Sequence, residues 1–297
     1  MRPERCSCRG CGWPRTGVQE SGSPARRSAA TDCAPPRDEE QVFMIQQTRH
    51  RIGVGNDELA AVVATPTTGS PQRMVMMLHG GPGGQKDGPT DLYVDLAAHL
   101  GAAGIASVRF DFRGCGESTG SYRDMTIARQ VEDLRAVRSF VDGRYQPTAW
   151  ALIGESFGAT VGLAGFDPAY RAVVLLWPAI WLLDGAFESY VSEENLSAAR
   201  RDGYVDLDGE QIGVAFLDEL QDVQDISAPL RGLSTPVLFV HGEADHEVPF
   251  GQSVRAADLV SGPHKVVGVP DGDHCLEEPQ EREIVYRETV PWLREYL

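Results

Sequence analysis

From Leu59 onward, short apolar runs alternate with longer segments whose apolar residues recur every three or four positions. The runs at 59–64, 73–78, 106–112, 148–153, 171–176, 236–241 and 265–269 predict strands. Segments 92–103, 156–165, 249–260 and 279–296 predict helices. So does a stretch capped by Thr126, with Ile127, Val131, Leu134, Val137 and Val141 on one face. Strands that are apolar on both faces and alternate with helices belong in a mostly parallel sheet covered on either side, an α/β architecture. Ligands of such sheets bind at the carboxyl ends of the strands, so the residues just after each predicted strand are the first place to look for chemistry.

One stretch breaks the rhythm. Residues 178–235 show no strand–helix alternation and scatter Trp181, Phe187, Tyr190, Tyr204 and Phe216 among many acids. They read as a lid or cap inserted into a core made of residues 44–177 and 236–297. Trp177, Trp181 and Phe187 are candidates to line an acyl pocket beneath it, with a packed lid core as the alternative. Residues 1–43 are rich in Arg, Pro, Ser, Gly and Cys, have no apolar periodicity and lack the apolar region of a secretory signal. They read as a disordered or non-native extension, and Met44 offers a second translational start.

A net charge of −16 repels phosphate backbones and anionic lipid heads, so neither nucleic acid nor a membrane is an expected partner. No apolar run approaches the roughly 18–20 residues that span a bilayer. Four of the six cysteines (Cys6, Cys8, Cys11 and Cys33) lie in the N-terminal segment without zinc-site spacing. Cys115 and Cys275 are too few for a disulfide framework, and Cys115 reads as a buried filler. A cytoplasmic location, no metal, no organic cofactor and a small-molecule substrate are expected; a homo-oligomer is compatible with the sequence, which does not specify one.

Gly154-Glu155-Ser156-Phe157-Gly158 follows one predicted strand and opens a helix, the context in which G-x-S-x-G presents a nucleophilic serine. The tight strand-to-helix turn needs small neighbours, and Gly154, Gly158 and Ala159 supply them. A serine hydroxyl is a poor nucleophile until a base takes its proton. Of seven histidines only His274, in Asp271-Gly272-Asp273-His274, follows a late strand in a loop. Asp245 follows the strand before it and is the candidate acid; Glu243, Glu247, Asp271 and Asp273 are its rivals. The loop His79-Gly80-Gly81-Pro82-Gly83-Gly84 suits an oxyanion hole, with donors from the N–H groups of Gly81 and Phe157; Pro82 has no N–H to give. His79 reads as a structural hydrogen-bonding residue, and the Asp and Arg of Asp111-Phe112-Arg113-Gly114-Cys115-Gly116 as braces between loops.

From about residue 45 onward these motifs resemble those of the α/β-hydrolase superfamily. Within it they are similar to the cinnamoyl and feruloyl esterases and to dienelactone-hydrolase-like and acylaminoacyl-peptidase-like enzymes. The resemblance implies the α/β-hydrolase fold and a small lid. It also implies a serine esterase cleaving an ester of a small to medium acyl group, aromatic ones included, through an acyl-enzyme. Ser156, His274 and Asp245 would form the triad, and Gly81 and Phe157 the oxyanion hole. Ser156 stands where haloalkane dehalogenases and epoxide hydrolases carry Asp, which sets those activities aside. Two features depart from the esterase group. Glu155 stands where those enzymes more often have His, and a carboxylate there would raise the base's pKa or meet a substrate amine. His79–Gly83 also spells the HGGPG of proline iminopeptidases, so an aminopeptidase is the competing activity. An acyltransferase or cyclase using the same triad is a further alternative.

Overall fold

The computed structural model describes residues 45–67, 71–185, 187–207 and 209–297. The extension expected over residues 1–43, and the second start at Met44, lie outside the described residues. In chain order the main elements are β1 (Ile45–Val54), β2 (Asp57–Pro66), β3 (Arg73–Leu78), α1 (Leu92–Ala102), β4 (Ala106–Phe110), α2 (Ile127–Tyr145), β5 (Ala149–Glu155), α3 (Phe157–Ala164) and β6 (Tyr170–Leu176). They continue with α4 (Glu193–Asp202), β7 (Tyr204–Leu207), β8 (Glu210–Gly213), α5 (Val214–Asp222), β9 (Val237–Gly242), α6 (Gly251–Ala257), β10 (His264–Val269) and α7 (Pro279–Tyr296).

Eight strands form one sheet in the order β1-β2-β4-β3-β5-β6-β9-β10. β1 and β2 pair antiparallel, as do β2 and β4, and every pairing from β4 to β10 is parallel. Successive side chains of each strand enter opposite layers. Met74, Met76 and Leu78 pack with α2 and α3 through Val131, Leu134, Phe157 and Val161. Val75 and Met77 pack on the other face with Leu92, Leu96 and Leu100 of α1 and Val285 and Leu293 of α7. All seven residues of β5 are buried. At about 1.5–3 kcal/mol for each fully buried aliphatic side chain, these two layers dominate what holds the sheet together. Among the described residues no helix is long and apolar enough to cross a membrane.

The strands expected from apolar runs are present, and the structure adds β1, where Ile52 is the sole buried residue. An edge strand paired on one side and mostly exposed carries no apolar run, so its sequence gives no such signal. Segment 178–235 is not structureless. It holds α4, a separate hairpin of β7 and β8, and α5, elements of only four to ten residues. The expected helix at 249–260 is shorter, covering Gly251–Ala257.

Candidate active site

Ser156 sits between the end of β5 and the start of α3 with φ 48° and ψ −119°, a strained conformation for a residue with a side chain. The surroundings hold it there by close approach. A Cβ on Gly154 would lie 2.7 Å from Ala159 Cα, and one on Gly158 would lie 2.2 Å from the Leu78 carbonyl oxygen. The turn lifts the Ser156 side chain above the carboxyl end of β5, at the head of a helix whose first N–H groups have no partner within the helix.

Two neighbouring strand ends bring the partners. The His274 loop follows β10 and the Asp245 loop follows β9. His274 Nε2 lies 3.1 Å from Ser156 Oγ, and His274 Nδ1 lies 2.8 Å from Asp245 Oδ2. A carboxylate only accepts, so Nδ1 carries the proton and Nε2 offers its lone pair to the serine hydroxyl. The Asp245 side chain is fully shielded from solvent. Its Oδ1 accepts from the N–H groups of Glu247 (2.9 Å) and Val248 (2.8 Å), and its Oδ2 also accepts from His241 Nε2 at 3.1 Å. Burial alone would raise the Asp245 pKa, but the hydrogen bonds from His241, His274 and Val248 outweigh it and hold the group well below the usual carboxylate range. Burial lowers the His274 pKa, yet the hydrogen bond and charge of Asp245, with the charges of Glu247 and Glu155, bring it above its ordinary value.

Sequence reasoning did not single out His241, which lies near the end of β9. Its ring is completely buried. Nε2 also faces the Val248 carbonyl at 2.9 Å, and Nδ1 faces Ser253 Oγ at 2.8 Å. The Val248 carbonyl can only accept, so Nε2 holds the proton and Nδ1 accepts from the serine. His241 thereby fixes Asp245 from behind. A spacing of four residues across a strand end carries no recognisable signal for this; only the fold of the loop creates it.

The glycine loop closes the other side. A Cβ on Gly80 would lie 3.1 Å from Ser156 Cβ, and one on Gly81 would lie 3.8 Å from Phe157 Cδ1. The fold thus brings Gly81 and Phe157 together next to Ser156. Among the described residues the Gly81 N–H has no hydrogen-bond partner. His79 is buried. Its Nε2 accepts from the Phe112 N–H at 3.2 Å and its Nδ1 reaches the Gly80 carbonyl at 2.7 Å, tying this loop to the one after β4. Asp111 is paired with Lys86 at 3.0 Å, and Arg113 is paired with Asp133.

Glu155 corrects one expectation. Its buried carboxylate accepts from the Gly80 N–H at 2.9 Å and from Trp177 Nε1 at 3.2 Å, so it is committed to the protein and does not meet a substrate amine. Burial holds its pKa above the ordinary range. Trp177 is also placed differently from the expected pocket lining. It follows β6 directly, is fully buried, and meets the His274 ring edge-on at a centroid distance of 6.3 Å. It backs the site instead of facing an opening. Trp181 pairs with Asp225, and its ring lies 3.9 Å below the Arg255 guanidinium. Phe187 is buried against Phe157 at 5.4 Å and Phe216 at 5.7 Å, which packs the inserted segment directly on the residue after Ser156.

A mostly parallel sheet with a serine at a strand-to-helix turn, faced by histidine and aspartate from the last two strand ends, defines the α/β-hydrolase class. The chain belongs to the alpha/beta hydrolase family, whose model matches residues 75–285. It is similar to the uncharacterized protein YfhR of Escherichia coli K12, 28% identical over 187 residues covering 61% of this chain and 57% of that protein. The chain thus spans less than two thirds of the length of that relative. It is also 25% identical over 293 residues to the monoacylglycerol lipase of Mycolicibacterium smegmatis, covering 86% of this chain and 100% of that protein. Among solved structures it resembles Est1E from Butyrivibrio proteoclasticus with ferulic acid bound: TM-score 0.71, 21% identity, 83% of this chain and 98% of that one. This last likeness is one of fold.

Proposed function

We propose that the protein hydrolyses carboxylic esters of small to medium, including aromatic, acyl groups through an acyl-enzyme on Ser156. The observation that carries this reading is the unbroken relay from Ser156 Oγ to His274 Nε2, 3.1 Å, and from His274 Nδ1 to Asp245 Oδ2, 2.8 Å. In the first half-reaction Ser156 Oγ attacks the ester carbonyl carbon and its proton passes to His274 Nε2. The carbonyl oxygen becomes an oxyanion and receives the N–H groups of Gly81 and Phe157. The imidazolium, stabilised by Asp245, then protonates the departing alkoxide, leaving the acyl group on Ser156. Water repeats the sequence with His274 as base and releases the acid.

The segment 178–235 acts as the lid in this reading, resting on Phe157 through Phe187 and Phe216. The mycobacterial lipase and Est1E, whose bound molecule is ferulic acid, support ester chemistry by analogy. A second reading, an aminopeptidase, draws on Glu247, an exposed carboxylate 3.7 Å from His274 Nε2 that a substrate ammonium could reach. Initial rates of the wild type and Ser156→Ala on a p-nitrophenyl ester series, beside proline p-nitroanilide, test both. Ester turnover abolished by the substitution supports the esterase. Turnover of the prolyl amide alone moves the assignment to the peptidase, and ester turnover that persists in Ser156→Ala removes the serine from the mechanism.

A further inference from the structure

Tyr122 opens the short 3-10 turn Tyr122–Asp124 that follows the β4 loop. Its hydroxyl oxygen is buried and has no hydrogen-bond partner, and among the described residues it is the only tyrosine hydroxyl in that state. Gln130, Thr289 and Trp292 also bury an unpartnered side-chain atom, but they lie on α2 and α7. The Tyr122 hydroxyl instead stands 3.2 Å from the point where a Cβ on Gly81 would be, and Phe157 Cδ1 stands 3.8 Å from that same point. It therefore lies against Gly81, one of the two residues whose N–H groups form the oxyanion hole in the reading above.

The turn is clamped from both sides. A Cβ on Gly114 would lie 2.4 Å from the Tyr122 nitrogen, and one on Gly213 of β8 would run into the Arg123 carbonyl. Glu210, also on β8, brings its carboxylate within 3.5 Å of where a Gly83 Cβ would be, on the same loop. A buried hydroxyl without a partner is rare in native structures, because it has given up water for nothing; a donor aimed at a binding site finds its partner when the ligand arrives.

We infer that Tyr122 Oη donates a hydrogen bond to the substrate carbonyl oxygen as it becomes the oxyanion, a third donor beside the N–H groups of Gly81 and Phe157. This rests on the Ser156 esterase reading. The hydroxyl gains most when the oxygen carries full charge, so it acts on the transition state more than on bound substrate. Burial, with the neighbouring Cys115 and Glu210, raises the phenol's pKa, and the group stays protonated as a donor must.

The test compares wild type, Tyr122→Phe and Ser156→Ala. Steady-state kinetics on p-nitrophenyl acetate are measured beside the second-order rate of Ser156 modification by a fluorophosphonate, whose phosphoryl oxygen takes the place of the carbonyl oxygen. Phenylalanine keeps the ring and removes only an unbonded hydroxyl, so the folded protein is retained and its Tm is at or above that of the wild type. The expected result is a fall of about tenfold or more in both kcat and the labelling rate, with KM within about twofold. Both rates within about twofold of wild type, or a change in KM alone, would overturn the role of Tyr122 while leaving the serine reading standing. A wild type that is neither labelled nor active on esters overturns the serine reading, and this inference with it.

Discussion

Replacing Asp245 by asparagine probes the relay with almost no change of shape. The two carboxylate oxygens are not equivalent. Oδ1 accepts from the Glu247 and Val248 N–H groups, at 2.9 and 2.8 Å, and this pair demands an oxygen. The amide NH2 is therefore forced into the place of Oδ2, facing His274 Nδ1 at 2.8 Å and His241 Nε2 at 3.1 Å. Two donors cannot face each other. His241 keeps its proton on Val248, 2.9 Å away, so His274 is the ring that must change. Its Nδ1 becomes an acceptor and its proton moves to Nε2, which then points a hydrogen at Ser156 and has no lone pair to take the serine proton. Loss of the base by a wrong tautomer costs roughly 10⁴-fold in kcat where a triad of this type has been tested, and about 1.36 kcal/mol per tenfold makes that about 5.5 kcal/mol of transition-state stabilisation. The assay is kcat/KM of Asp245→Asn on a p-nitrophenyl ester, with a thermal melt to establish that the variant is folded. A folded Asp245→Asn that keeps more than about a tenth of wild-type kcat/KM would refute the tautomer argument and the place of Asp245 in the relay.

Two further outcomes follow from the same geometry. In the proposed mechanism activity needs neutral His274, so kcat/KM is expected to climb with pH through an apparent pKa above the ordinary histidine value near 6.5. The charged groups facing this ring are Asp245, Glu247 and Glu155; Glu247→Gln removes a negative charge 3.7 Å from Nε2, disfavours the imidazolium and moves the ascending limb to lower pH. The Glu247 side chain is 67% exposed, so the shift is largest at low ionic strength, and a limb that stays put or moves upward would contradict this electrostatic account. Gly158→Ala sets a methyl group 2.2 Å from the Leu78 carbonyl oxygen and 2.5 Å from that of His79; with backbone on both sides, it is expected to lower stability by at least about 3 kcal/mol, and a denaturant midpoint equal to the wild type's would show that the elbow relaxes more freely than its packing implies.

Much of this protein is written in local chemistry. A run such as residues 73–78 has few polar atoms to show to water, so it is buried wherever the chain places it, and its shortness between turns suits an inner strand. Gly154, Gly158 and the serine between them announce a turn that tolerates only small neighbours, and the structure shows backbone atoms filling the space where their side chains would be. The positions of Ser156, Asp245 and His274 just after three apolar runs were legible for the same reason: strand ends of a parallel sheet lie side by side. The edge strand β1 and the short elements of 178–235 were not, since exposed or four-residue elements bury too little to leave a periodic pattern. Nor was the function of the supporting residues. Glu155 stands in the sequence as a carboxylate beside the serine, free to act on it or on a substrate. Only folding turns it inward to the Gly80 N–H and Trp177. His241 and Tyr122 read as ordinary residues until β9 packs on α6 and the β4 loop closes on Gly81. Sequence determines what each residue can donate, accept or bury. Which donor meets which acceptor far along the chain is decided by tertiary packing alone, as in the contacts of His274 with Asp245, 29 residues apart, and with Ser156, 118 residues apart.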